Sequence, residues 1–588
     1  MIFLTDDHKI KASLEALVSE LPAAKLLESL TLSLQKSSEK GFAIQGDKQH
    51  WKIQYGDISS LFRAVALVAE KASRMETGEI REAPRFERLG ILLDACENAV
   101  PRPSAVKRLC RLLSSLGYNT LILKTVKGDV IDANISFDTF AGRYTADELC
   151  ELTDYAAGYG IELLPCIPFS ELPAFASPAQ FEATVDRLLL LLSQRLGNRR
   201  VCLGFDRPAL PGCGPYPAPL GHCRAEELPT YLEILSKLLQ KHGMEASMGG
   251  AVLQDLTAAV SGITFAAAEC TSVDKEYYRS LLSSLSEKTP RVGFVGGDNS
   301  WYGAVPLSWL SHTVACNTLP VLLEKPPHEV YVAMWRDDTG AAPLFSTLPV
   351  LFAYAEACWA GTDHTEHLSR RMLALCGVDF YDMVPLEDIP AIRCRLNTGR
   401  IAVNPGKYML YDRVINASFA AHATGARVHL RSVTEWMAER IGRAGEFAYL
   451  FEALVAYSNL LAYLAEISEG LRKAYRKGDR TMMQEICDGH FKKAANAVDE
   501  YYEKLCAQWE REYMELGLAL IRQRLDLVKQ RLAEEQPILV AYLSGKTDRI
   551  DAFEGDPRPY VREAELIHDC NAILLNRFDW IEAGNMPT

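Results

Sequence analysis

The chain lacks an excess of positive charge: 76 acidic residues against 63 basic ones leave its 588 residues with a formal net charge of −13. A surface built to neutralise phosphates needs the opposite balance, so no nucleic-acid partner is expected, a local basic pocket aside. No apolar run reaches membrane-spanning length, and the opening MIFLTDDHKI puts two Asp and a His where a secretory leader needs its apolar stretch. No membrane partner is therefore expected, and a cytoplasmic location is. Cysteine is plentiful at 15 residues, yet there is no CxxC and no Cys/His ladder. An odd number of scattered thiols suits reduced, mostly buried side chains. Cys213, His222 and Cys223 share a Pro-rich loop, but their spacing fits no usual zinc pattern, and neither a metal nor a cofactor is expected. No internal repeat or low-complexity segment is evident.

What is present divides into three regions by its hydrophobic period. Residues 1–84 read as a small α/β domain. In it Phe42 to Ile44 and Trp51 to Tyr55 pair as strands across a turn at Gly46 and Asp47, and Ile58 to Lys71 forms an amphipathic helix. Gly78 to Pro84 is polar, ends in Pro and reads as a linker. Over residues 85–361 strands and helices alternate, with strands starting at Leu89, Thr120, Glu162, Val201, Glu245, Ile263, Val292 and Val330. Eight strands with helices between most of them match the count and size of a (β/α)8 TIM barrel. An open doubly wound sheet would carry a Gly-rich phosphate loop after its first strand, and LLDACENA is not one. Residues 362–588 are mainly α-helical, with long patterns over Thr434 to Arg476 and Phe491 to Glu534, broken near Gly478 and Asp479. Phe447, Tyr449, Phe451, Tyr457 and Tyr463 fall partly on one face, which is expected to pack against the barrel or a second subunit, compatible with a homodimer.

The segment VCLGFDRPALPG, Val201 to Gly212, reads as a buried strand that delivers Asp206 and Arg207 at its C-terminal end. In a parallel barrel that end carries the chemistry. The plainer reading is an ordinary strand exit with an exposed Asp and Arg. Other charged residues fall at the same level of the barrel: Asp94, Lys124, Glu171, Glu269, Arg336, Asp337 and Asp338.

The strand ends carry a resemblance. RFERLGILLDACENAVP, LGYNTLIL, GRYTADELCELTDYAAGYGIELLPCI, LGFDRPA, FVGGDNSWYG and AMWRDDTGAAPLFSTLPVL resemble, in order, the barrel segments of glycoside hydrolase family 20, the exo-β-N-acetylhexosaminidases. The similarity is to the bacterial cytoplasmic branch with a helical C-terminal region, and continues through AVNPGKYMLYDRV, RAGEFAYLFEA and LRKAYRKGD. The resemblance implies substrate-assisted chemistry, in which the sugar's acetamido oxygen attacks the anomeric carbon, an Asp orients it, and the next residue, a Glu, protonates the leaving oxygen. Asp206 matches the Asp, and Arg207 stands where the Glu is expected. A guanidinium holds its proton at any working pH, so Arg207 cannot be the acid, and beside Asp206 it favours the ionised carboxylate. Leu89 replaces a sugar-binding Arg, with Arg88 one place off, and Ala341 replaces a sugar-contacting acid, whereas Trp335 and Asp337 match.

These departures lead to an expected glycosidase with an altered site, not a standard N-acetylhexosaminidase. Asp206 is expected to act as stabiliser, with Glu171 or Asp337 as acid. Lys124, Arg207 and Arg336, with Asp338, Trp301 and Trp335, are expected to bind the substrate. The three cations at strand ends of an acidic protein suit an anionic sugar, because Arg reads carboxylate, sulfate or phosphate bidentately. The alternatives are internal pairing of Arg207 with Asp206 and of Arg336 with Asp337 or Asp338, a non-catalytic glycan-binding or structural homologue, and a true hexosaminidase with a different acid.

Overall fold

The computed structural model describes residues 1–5, 7–125, 143–167, 177–197, 199–205, 228–250, 262–389, 405–415 and 425–554. Near the N-terminus, Phe42, Ile44, Trp51 and Ile53 alternate with smaller or polar residues, and they are buried on one face of a five-stranded sheet. Its strands are β1 (Ile2–Leu4), β2 (Thr31–Lys36), β3 (Phe42–Gly46), β4 (His50–Tyr55) and β5 (Gly78–Glu82), in the order β1-β2-β4-β3-β5. β3 and β4 pair across their turn as the sequence predicts, antiparallel and with Ile44 opposite Ile53. The expected linker is instead β5, antiparallel to β3, its polar composition suiting a largely exposed edge strand. The helix Ile58–Ser73 covers the buried face and starts on Asp57, whose side chain accepts from Ser60 N at 2.9 Å. Its Arg63 is fully buried and donates to Glu82 at 2.7 Å and to Glu356, on the helix Leu348–Trp359, at 2.9 Å. This pairing fixes the small domain to the barrel.

The barrel strands are β6 (Arg88–Asp94), β7 (Thr120–Lys124), β8 (Glu162–Cys166), β9 (Arg200–Cys202), β10 (Glu245–Gly249), β11 (Ile263–Ala268), β12 (Val292–Gly297) and β13 (Glu329–Met334). All pair parallel, and β13 closes on β6 with Glu329 opposite Arg88 and Met334 opposite Leu93. Strands covered on both faces read as continuous apolar runs, and alternation then sorts them. Leu89, Ile91 and Leu93 join the core beneath the helices, while Leu92, Ile122, Leu164, Cys202, Ala266, Val295, Tyr331 and Ala333 fill the lumen. The helix Pro103–Leu116 ends on Gly117 at φ 83, where a Cβ would lie 2.3 Å from the Trp359 indole nitrogen. Thr145 and Glu148 form a capping box at the start of the helix Ala146–Gly158.

At the N-terminal end the lumen is closed by charge. Arg200 donates to Glu162 and Glu329, each at 2.8 Å, and to the Tyr331 hydroxyl at 3.0 Å, while the Ser247 hydroxyl donates to the other Glu329 oxygen at 2.6 Å. Arg88 also reaches Glu329, at 3.1 Å.

The C-terminal region is built from the helices Ala426–Ala438, Ala448–Lys477, Phe491–Glu512 and Leu518–Leu543. Gly478 and Asp479 break it where the sequence predicts. One expectation is overturned: the stretch Gly445–Lys477 is long and apolar enough to cross a membrane by length and composition. Its apolar side chains pack inside the protein: 72% of its apolar 18-residue window is buried. Tyr449, Phe451 and Tyr457 are buried, with Tyr457 5.1 Å from Tyr501, so the aromatic face packs inside the chain.

Candidate functional site

The C-terminal strand ends bring acids together in one recurring local structure. Asp94 accepts from Cys96 N at 3.0 Å, Glu269 from Thr271 N at 2.8 Å, Asp298 from Ser300 N at 3.0 Å and Asp337 from Thr339 N at 3.1 Å. In each case a strand-end carboxylate bonds the backbone two residues on and turns the chain out of the barrel. All four are buried, not solvated.

Their remaining capacity differs. Asp337 Oδ1 also takes the Thr339 hydroxyl and Gly340 N, each at 2.7 Å, and its Oδ2 takes Lys407 Nζ at 2.5 Å. Lys407 spans to Asp338 Oδ1 at 3.1 Å, and Arg524 reaches the other Asp338 oxygen at 3.0 Å. Asp298 is 1% exposed and keeps a buried Oδ2 without a hydrogen-bond partner among the described residues. Burial pushes its carboxyl up to about 6, against the pull of Arg336 and of the Ser300 hydrogen bonds. Asp94 also accepts from the Cys96 thiol at 2.9 Å, and burial pushes that thiol well above its ordinary range, so it is no nucleophile.

Two tryptophans line this end. Trp335 follows the inward alternation of Tyr331 and Ala333 and packs on the lumen cluster, with its ring 5.3 Å from that of Trp301 at an interplanar angle of 62°. The Ser300 hydroxyl lies 2.8 Å from Asp298 Oδ1 and 2.9 Å from the Trp335 carbonyl, which ties the loops after β12 and β13 together. Lys124 ends β7 opposite Asp94 and is buried.

Of the residues singled out from the sequence, Lys124, Trp301, Trp335, Arg336, Asp337 and Asp338 gather at this end. Glu171, Asp206, Arg207 and the loop with Cys213, His222 and Cys223 lie outside the described residues. Arg336 follows the outward alternation. Its Nη1 donates to Ala342 O at 3.0 Å, its guanidinium carbon lies 6.0 Å from the Tyr513 ring centroid, and Nε and Nη2 have no hydrogen-bond partner among the described residues. The internal pairing of Arg336 with Asp337 or Asp338 is not found among the described residues, where Lys407 and Arg524 take both acids. Among the described residues no group of three or more metal-ligating side chains occurs.

Sequence reasoning missed Asp298 and Lys407. Asp298 carries a visible signal, because it follows its strand as Asp94 ends its own. Lys407 carries none: nothing local announces that a lysine from the helical region enters the barrel mouth.

Residues 379–569 match the family described as the Glycoside Hydrolase 20C C-terminal domain. Among solved structures, the chain is similar to the GH20 β-N-acetylhexosaminidase of Streptomyces coelicolor A3(2), with 16% identity, a TM-score of 0.48, and 65% of this chain and 91% of that one covered. It is also similar to the GH20 exo-β-N-acetylglucosaminidase of Vibrio harveyi in complex with N-acetylglucosamine, with 16% identity, a TM-score of 0.46, and 66% and 74% covered.

Proposed function

We infer that this chain, whose C-terminal region is that of a Glycoside Hydrolase 20C protein, is a family 20-like glycoside hydrolase acting on terminal sugars at the C-terminal end of its barrel. One observation carries the reading: Lys407, inside the matched domain, docks on Asp337 and Asp338 at the barrel end where this fold keeps its chemistry. Domain and barrel thus form one unit around that mouth. Arg207 occupies the position of the acid Glu, so the chain does not act as a standard N-acetylhexosaminidase. Asp337 already accepts three hydrogen bonds on one oxygen and Lys407 on the other, which leaves the acid role to Glu171, with Asp206 as stabiliser. Lys124 and Arg207 favour an anionic sugar, met in the cytoplasm.

The test is a screen of aryl glycosides bearing neutral and acidic sugars. Glu171→Gln and Asp206→Asn are each expected to lower kcat/KM for the best substrate by about a hundredfold or more. Arg207→Ala is expected to weaken acidic sugars more than neutral ones. Unchanged rates in both carboxylate variants overturn the assignment. The full engagement of Asp337 favours one second reading, glycan binding without cleavage, for which calorimetry would record binding and the screen no turnover.

A further inference from the structure

We propose that Lys407 is a positioning residue of the barrel site: from the C-terminal domain it holds the turn after β13 that sets Trp335 against Trp301. The proposal rests on the reading of the barrel mouth as a sugar site, where an aromatic wall would meet the apolar face of the ring.

Lys407 lies on the short helix Pro405–Tyr411 and is 2% exposed. Burying an ammonium group is expensive unless it is paired and hydrogen-bonded. Here Nζ meets Asp337 Oδ2 at 2.5 Å and Asp338 Oδ1 at 3.1 Å, and Arg524 supplies the second cation at 3.0 Å from Asp338 Oδ2. Two acids of the barrel face two cations of the C-terminal domain, so the set is neutral. Asp337 is also the residue around which the turn is wound, through Thr339 N, the Thr339 hydroxyl and Gly340 N. Gly340 has φ +62 and a Cβ there would lie 2.4 Å from that of Ala99, so this point of the turn admits only glycine and packs closely on Ala99.

The peptide of Trp335 sits just upstream. Its carbonyl is tied to Ser300 on the β12 side, and two residues later the chain is tied to Lys407 through Asp337. Arg336, between the two ties, is held to Ala342 O. Removing the Lys407 charge leaves Asp337 buried without its cation, which unwinds the turn or recruits water into it. Either change moves Trp335.

The experiment uses the full chain, with Lys407→Met, Lys407→Arg and the milder Thr339→Val, which removes one Asp337 hydrogen bond from the barrel side. Lys407→Met should raise KM for the best aryl glycoside about tenfold or more with kcat changed by less than about threefold, and Lys407→Arg should restore part of the loss. Thr339→Val should move KM in the same direction by less. The near-UV circular dichroism of the unliganded protein should change in Lys407→Met, and that change should vanish in a Trp335→Phe background. A Lys407→Met protein that loses thermal stability with wild-type KM and wild-type near-UV signal overturns the proposal, because Lys407 then only glues the domains. If Lys407→Met fails to fold, Thr339→Val with unchanged KM and unchanged near-UV signal overturns it. If the wild type binds no glycoside, the sugar reading fails, and the near-UV comparison with its Trp335→Phe control still decides whether Lys407 positions the tryptophan.

Discussion

At the N-terminal end of the barrel, Arg200 is spanned by Glu162, Glu329 and the Tyr331 hydroxyl, and Ser247 takes the remaining Glu329 oxygen. At the C-terminal end, Asp298 and Arg336 are equally buried and feel one another's charge, yet Asp298 Oδ2 and Arg336 Nε and Nη2 have no hydrogen-bond partner among the described residues. Both ends bury charges in a low dielectric. The Arg200–Glu329 set is met by direct hydrogen bonds and rigidifies the fold, whereas the Asp298–Arg336 pair, unlike its neighbours Asp337 and Asp338, leaves polar capacity unmet among the described residues. A buried polar network is strong when every member is satisfied and unstable when some are not. The contrast matches the division of labour in such barrels, with stability at the bottom and chemistry at the top.

The largest effect is expected from breaking the closed end. Glu329→Ala leaves Arg200 without its most buried acidic partner, removes the acceptor of Ser247 and leaves Arg88 with Glu245 at 3.8 Å. Losing one member of a buried ionic set costs on the order of 3 to 5 kcal/mol, because the opposite charge stays behind unpaired. Urea unfolding of the variant against the wild type measures this. A loss under about 1 kcal/mol would mean that water reaches Arg200 and that the two ends do not differ.

The open end should respond to pH instead. Asp298 has an ordinary carboxyl in the unfolded chain, near 3.8, and a folded value pushed up to about 6. Below the unfolded value both states are protonated and the folded protein carries no penalty. As pH rises from about 4 to about 6 the unfolded chain releases its proton more readily, and stability falls until both states are ionised. The shift corresponds to roughly 2 to 3 kcal/mol between pH 4 and pH 8. Asp298→Asn removes this slope while its side-chain oxygen still accepts from Ser300 N. The variant should therefore gain on the wild type as pH rises through that window, as followed by chemical denaturation at each pH. Parallel profiles would show Asp298 to be solvated.

The difference between the ends also marks what a sequence can disclose. The barrel was legible because its strands are apolar on both faces and begin and end at regular intervals, and the C-terminal helices because Gly478 and Asp479 interrupt their period. β5 was not, because an exposed edge strand has the composition of a linker. In the C-terminal helix Ala448–Lys477, length and apolarity match those of a membrane span, and only its packing partners show how it is used. The place of Trp335, Asp337 and Asp338 at the C-terminal end of the barrel was legible from the order of the segments, but the partners of the two acids were not. Lys407 and Arg524 come from elements about 70 and 190 residues away in the chain, and such pairings exist only once the domains are docked. The even alternation past β13 could have warned that Arg336 faces away from Trp335.

The finest comparison sets one hydroxyl at each end against the other. Ser247 gives its proton to Glu329 at 2.6 Å in a set where every neighbour is engaged, so Ser247→Ala should cost about 1 to 2 kcal/mol at any pH between 5 and 8. Ser300 divides one proton between Asp298 Oδ1 and the Trp335 carbonyl, and its backbone N–H remains on Asp298 in an alanine variant. Ser300→Ala should therefore cost about 1 kcal/mol more at pH 7, where it removes a donor from an ionised carboxylate, than at pH 4, where Asp298 carries its own proton and the bond to the Trp335 carbonyl is the main loss. The same variant should push the Asp298 titration still higher, since a hydrogen bond to the charged form is lost, and the midpoint of the pH-dependent stability would move up with it. A Ser300→Ala penalty as large as that of Ser247→Ala, and as flat with pH, would show that the top of the barrel is as closed as the bottom.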